Sequence, residues 1–229
     1  MKRYQLAAFV LGCSLIFATA PVLSASRKKK QQQAGELFKR AQDISNLQVK
    51  GNPPFVLDAS VMVYLSDGSK DQDEYYLTWL SETKWRKEIS FPDYHRDSIR
   101  SGDEITTTSN LNYVPFRVFQ IENTFCALWG CVGRTGIGKA AGIENHKING
   151  SPAECVSFRE KGNSASRDCF DLAKGYLVRR DSAIGFVITD SDYQAAGSKE
   201  FPRTITVLQG GHVVDLIKVT HLTINPSLS

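Results

Sequence analysis

From Phe55 onward the chain changes period. In Phe55-Val56-Leu57-Asp58-Ala59-Ser60-Val61-Met62-Val63-Tyr64-Leu65 every odd position is apolar and the even ones are mixed. That alternation is the pattern of a strand with one buried face. A turn at Ser66-Asp67-Gly68-Ser69-Lys70 follows, and then segments 74–80, 85–91, 94–99 and 104–111 come at roughly ten-residue spacing. Beyond Gly142 the rhythm resumes in 143–148, 154–160, 167–172, 176–180, 185–193, 203–209 and 213–224. Asn149-Gly150, Lys161-Gly162-Asn163, Ala173-Lys174-Gly175 and Gly210-Gly211 mark turns between them. Strand, turn and strand without regular intervening helices predict a mainly β (α+β), antiparallel meander of about eleven strands.

Two stretches keep a helical period instead. Over residues 34–47, Leu37, Ala41, Ile44 and Leu47 form an apolar stripe that stops at Gly51-Asn52-Pro53-Pro54. Over residues 115–129, Pro115 stands where a helix can start. Val118, Ile121, Phe125 and Leu128 follow at helical spacing, flanked by Phe119 and Trp129, with a buried strand as the alternative for part of this run.

The first residues read as an address. Met1-Lys2-Arg3 is basic, no charge occurs from Leu6 to Leu23, and small residues at Ser24 and Ala25 suit a signal peptidase. The expected organisation is a secretory signal over 1–25, a basic, Gln-rich linker over 26–33 and one domain over 34–229. Two alternatives stay open: lipidation at Cys13 within Val10-Leu11-Gly12-Cys13, or retention of the apolar run as a membrane anchor. Removal of Lys2 and Arg3 leaves 26 basic and 24 acidic residues, a balance without the clustered basic face of a nucleic-acid binder. Arg27, Lys28, Lys29 and Lys30 form a run read as a solvated tether or as a contact for anionic lipid headgroups.

Cysteine usage fits export. Cys126, Cys131, Cys155 and Cys169 form an even set without the tight Cys or Cys/His spacing of a zinc site, so two disulfides are expected. Cys155 and Cys169 are symmetric about Gly162. A hairpin centred there would set the two cysteines opposite each other. Cys126 and Cys131 then pair by elimination.

Catalytic patterns are scarce. Gly133-Arg134-Thr135-Gly136-Ile137-Gly138-Lys139 is followed by Ala140 where a phosphate-binding loop carries Ser or Thr. A helical pattern before it and a strand pattern after it invert the required strand, loop, helix order. His95, His146, His212 and His221 are scattered singly, Asp73 and Glu74 take opposite faces of a strand, and Asp190 with Asp192 reads as a polar outer face. A non-enzymatic protein with no cofactor and no metal is expected. The aromatic residues are more telling, because Trp79, Trp85, Phe91, Phe119, Phe125 and Trp129 crowd one half of the pattern. They read as a sheet core capped by a helix, or as the lining of an apolar cavity with the helix as lid.

The closing third carries a family pattern. Tyr193-x3-Gly197-x3-Phe201-Pro202-Arg203-x-Ile205 runs through Gly210-Gly211 to Leu222-x-x-Asn225. This resembles the final strands of the LolA/LolB-like lipoprotein carriers of the bacterial envelope, and Trp85-Arg86-Lys87-Glu88-Ile89 resembles their third strand. The run from Pro54-Phe55 through Tyr94 is also similar to an extracytoplasmic domain that precedes TonB-type modules in some soil bacteria. The resemblance implies a strongly curved, unclosed antiparallel barrel with an N-terminal and a mid-chain helix at its concave face. It implies a periplasmic carrier whose ligand is a lipid or lipoprotein acyl chain. A protein-interaction module of a larger TonB-like or outer-membrane assembly is the second expectation.

Overall fold

A computed structural model describes residues 20–128, 140–159 and 165–226. The described strands are β1 (Phe55–Tyr64), β2 (Lys70–Ser81), β3 (Lys84–Ser90), β4 (His95–Ser101), β5 (Glu104–Ser109), β6 (Ala140–Ile148), β7 (Ser151–Arg159), β8 (Ala165–Asp171), β9 (Leu177–Asp181), β10 (Phe186–Ala196), β11 (Lys199–Gln209) and β12 (His212–Ile224). Helix α1 spans Ala20–Ser45 and α2 spans Phe116–Leu128.

All twelve strands form one antiparallel sheet in the order β5-β4-β3-β2-β1-β12-β11-β10-β9-β8-β7-β6. The first strand therefore lies at the centre, paired with the last, and the sheet stays open as a half-barrel. Its two edges, β5 and β6, are the strands that α2 separates in sequence.

The register places one face inside. Ile143, Val156, Asp168, Arg180, Ile188, Val207, Asp215, Val63 and Asp71 stand opposite one another in turn across nine strands, so they share a face. Both helices pack on that face. Val118, Ile121, Phe125 and Leu128 of α2 join Phe55, Leu57, Val61, Tyr75, Trp79, Phe201 and Ile217 in the larger core. Leu37, Phe38 and Ala41 of α1 pack against Val156, Phe158, Phe170 and Leu177 in a second one. Phe38 sits edge-on to Phe170 at 4.9 Å.

Helix α1 begins at Ala20, well before the expected start at residue 34. The run expected as a linker is helical because Ala, Lys, Arg and Gln are strong helix formers. Gln31 and Gln33 tie this extension to the sheet: Ala140 N donates to Gln31 Oε1 (2.9 Å) and Gln33 Nε2 donates to Glu154 Oε1 (2.7 Å).

Gly162 lies outside the described residues; strands β7 and β8 pair antiparallel with Cys155 opposite Cys169, and the two are joined in a disulfide. Their cluster with Ala153, Ile148 and Val178 alternates with Val156 and Phe158, so the bridge lies on the outer face. Cys126 is disulfide-bonded; Cys131, its expected partner, lies outside the described residues, as does the glycine run from Gly133 to Lys139. That run connects α2 to strand β6, so a phosphate loop's strand, loop, helix order is absent.

Candidate functional site

The concave face beneath α2 is the place where the aromatic residues meet. Trp79 stacks on Phe55 at 5.5 Å, and Phe125 of α2 stacks on Tyr75 at 4.3 Å. Trp85 stands opposite Trp79 in register and packs half-buried against the same core. Phe91 is buried at the turn after β3, with the Arg117 guanidinium 4.7 Å from its ring centre. Phe119 is placed differently. It is 56% exposed, next to Phe116 at 6.5 Å, while Phe116 in turn approaches Phe186 of β10 at 6.4 Å. Of the six aromatic residues expected to line a cavity, Trp79, Trp85, Phe91 and Phe125 come together, Phe119 lies on the outer side of α2, and Trp129 lies outside the described residues.

Helix α2 fills this face rather than leaving it empty. Its apolar stripe enters the core, and polar groups hold its flanks to both halves of the sheet. Glu122 pairs with Lys87 of β3 and Arg96 of β4. Arg117 pairs with Asp93. On the far side, Gln120 Nε2 donates to Asp215 Oδ2 of β12 at 2.7 Å, and Arg180 Nη1 of β9 donates to the Thr124 carbonyl at 3.2 Å.

These contacts rest on buried charges. Arg180 donates through Nη2 to both oxygens of Asp190, at 3.0 and 3.2 Å, in the interior. The expected shared outer face for Asp190 and Asp192 is therefore corrected. Asp190 points inward, while Asp192 adopts a left-handed backbone (φ 53°) and is exposed, which breaks the alternation between them. Asp73 is 1% exposed and neither of its carboxylate oxygens has a hydrogen-bond partner among the described residues. Burial, reinforced by Asp71, Asp93 and Asp215 and opposed by Arg117, raises its pKa to about 7. Burial also raises Asp215 to about 6, partly offset by the Gln120 amide. The available signal was phase: Asp73, Asp190 and Asp215 each occupy an apolar position of their strand, in step with Tyr75, Ile188 and Ile217.

The four histidines lie apart, on β4, β6 and β12. Among the described residues no group of three or more His, Cys, Asp or Glu side chains is placed to hold a metal ion. No helix of the described residues is long and apolar enough to cross a membrane.

No family model and no curated protein matches this chain. Solved structures do. A domain from Vibrio parahaemolyticus, described as an outer membrane lipoprotein-sorting protein domain, superposes with a TM-score of 0.55 at 10% identity, covering 89% of this chain and 95% of the other. A LolA superfamily protein from Nitrosomonas europaea gives 0.52 at 12% identity, with 86% and 94% covered. A DUF1329 family protein from Desulfovibrio piger gives 0.57 at 11% identity, with 87% and 95% covered. At such identities the likeness concerns the backbone, and it spans nearly the whole of each structure. The chain has a LolA-like fold.

Proposed function

We propose that this protein is an exported, non-enzymatic binding or carrier protein for a hydrophobic ligand, a lipid or a lipoprotein acyl chain, held on the concave face. The observation that carries this reading is the way α2 covers that face. Its apolar stripe occupies the hollow of an open sheet, while its flanks are held by hydrogen bonds and ion pairs that water can replace. Lifting α2 would uncover aliphatic and aromatic surface, and each buried methylene of an acyl chain would contribute about 0.8 kcal/mol toward keeping it open. Trp79, Trp85, Phe91 and Phe125 line the proposed site. Phe119, with Phe116 and Phe186, forms an apolar rim for first contact. The fold likeness to a lipoprotein-sorting domain supports the same ligand class.

Bromine-labelled fatty acid tests this directly. The chain has three tryptophans, and two of them, Trp79 and Trp85, belong to the proposed lining. Saturable quenching of their fluorescence is the expected result. Neither quenching nor retention of lipid in native mass spectrometry would overturn the proposal.

A second reading has its own support. All six residues of the edge strand β5 are exposed, which leaves a free ladder for strand addition by a protein partner of an envelope assembly. Site-specific photo-crosslinking from Thr106 or Thr108 in cells separates the two readings. A single dominant protein adduct together with absent lipid favours the interaction module.

A further inference from the structure

Strands β11 and β12 run side by side for only part of their length. Their register extends from Gln209–His212 to Thr204–Lys218 and stops there. Beyond it, β11 continues against β10 alone, through Pro202 and Phe201 to Lys199, and β12 continues against β1 alone, to Ile224. Two features accompany this fork. Pro202 has no N–H to give a neighbouring strand. On the other arm Thr220 is a bulge residue, skipped between the pairs Asp58–His221 and Ala59–Val219, and its hydroxyl donates to the Asp58 carbonyl at 3.2 Å.

The fork opens a groove of about 590 Å³ lined by Asp192, Gln194, Arg203, Thr204, Lys218 and His221, among others. Thr204 and Lys218 alternate with Ile205 and Ile217 of the core and so face away from α2, while Arg203, in step with Ile205, also reaches the groove where the strands part. Its chemistry is cationic. Neither the Arg203 nor the Lys218 side chain has an ion-pair or hydrogen-bond partner among the described residues, and Arg203 Nε is buried without an acceptor. An arginine and a lysine without partners of their own favour an oxyanion as the group that would join them. The one carboxylate of the lining, Asp192, takes the Gln194 amide at 3.3 Å instead of either cation.

We propose that this groove is a second binding site, separate from the concave face, for a phosphate ester with a hydroxylated organic part. Arg203 and Lys218 hold the phosphate, whose oxygens can accept from both cations at once. The Thr204 hydroxyl donates a third hydrogen bond. The groove exceeds the size of a bare phosphate, and Asp192 at its wall accepts a hydroxyl of the organic part. A soluble glycerol phosphate and the headgroup of phosphatidylglycerol share this chemistry.

The experiment is a calorimetric and NMR titration of the folded full chain with sn-glycerol 3-phosphate, with glycerol alone as control. A parallel arm measures flotation with phosphatidylglycerol or phosphatidylcholine vesicles. Amide shifts at Thr204, Lys218 and Thr220, with affinity falling roughly tenfold or more in both Arg203→Gln and Lys218→Gln, are expected. Lys218 is exposed, so its replacement leaves the fold intact. Binding confined to phosphatidylglycerol vesicles and lost in both variants assigns the headgroup source. Binding of the soluble ester assigns the free one. The proposal is overturned if wild-type protein binds neither probe, or if both variants bind as wild type does. Fatty-acid uptake on the concave face is read separately by tryptophan quenching.

Discussion

Arg180 and Asp190 form an ion pair sealed inside the half-barrel, Nη2 donating to both carboxylate oxygens, with the two side chains 2% and 0% exposed. The same guanidinium also donates to the Thr124 carbonyl, so one interior cation links β9, β10 and α2. Replacing Arg180 by Met leaves a carboxylate buried without its guanidinium. The expected loss is about 3–5 kcal/mol, largely recovered when Asp190→Leu is added. Urea unfolding of the single and double variants measures both. A single variant as stable as the wild type would mean that the pair does not hold α2 to the sheet.

Asp73 makes stability fall as pH rises. Its folded pKa is about 7 against an ordinary value of 3.8, so between these values the folded chain holds a proton that the unfolded chain has released. The stabilising contribution is complete below about pH 4, declines through the window and is gone above about pH 7. The full span is roughly 4 kcal/mol. Asp215 adds a slope of the same sign that ends near its pKa of about 6. Asp73→Asn should flatten most of this dependence and stabilise the protein at about pH 8 while changing little near pH 4. Parallel stability profiles for variant and wild type across that range would exclude Asp73 as the source.

The outer-face bridge between Cys155 and Cys169 closes a short loop. Cys155→Ala/Cys169→Ala should lower stability by about 3 kcal/mol through the greater freedom of the unfolded chain, with the hairpin register kept. Thermal unfolding and amide exchange of β7 and β8 test this. Loss of the Ala153–Asp171 and Ser157–Arg167 pairing in the variant would instead make the bridge a determinant of register.

Gly175 couples a turn to α1. It sits at φ +87°, and a Cβ there would stand 2.1 Å from Arg40 Nε, whose guanidinium donates to the Ala173 carbonyl at 3.2 Å. Gly175→Ala should cost about 1–2 kcal/mol from the left-handed backbone, plus the displaced arginine contact. In an Arg40→Ala background only the backbone part should remain. Equal costs in both backgrounds would show that the arginine moves aside freely.

Much of the fold was legible because its signals are local. The period-two segments mark the strands, and Pro115 with the Val118, Ile121, Phe125 and Leu128 stripe marks α2. The longer reach of β2, β6 and β11 was not visible. Lys70 to Asp73, Ala140 to Gly142 and Lys199 to Pro202 lack clean alternation and become strand through their neighbours. The aromatic cluster was legible as a group, and the outward turn of Phe119 was open to the same reading, because at 3.6 residues per turn position 119 falls on the far side of the helix from the Val118, Ile121, Phe125 and Leu128 stripe.

The sequence by itself determined where the chain bends back, which segments are strands and which two cysteines a hairpin centred near Gly162 sets face to face. Each of these depends on residues close together along the chain. Only the tertiary structure decided that β1 lies at the centre beside β12, that α2 lies across the concave face, that Arg180 joins Asp190 and the Thr124 carbonyl, and that β11 and β12 part at Thr204–Lys218. Those outcomes depend on which distant strand supplies the partner for each backbone edge and each buried side chain. A proline at position 202 announces that one ladder must fail, but only the neighbouring strand shows which.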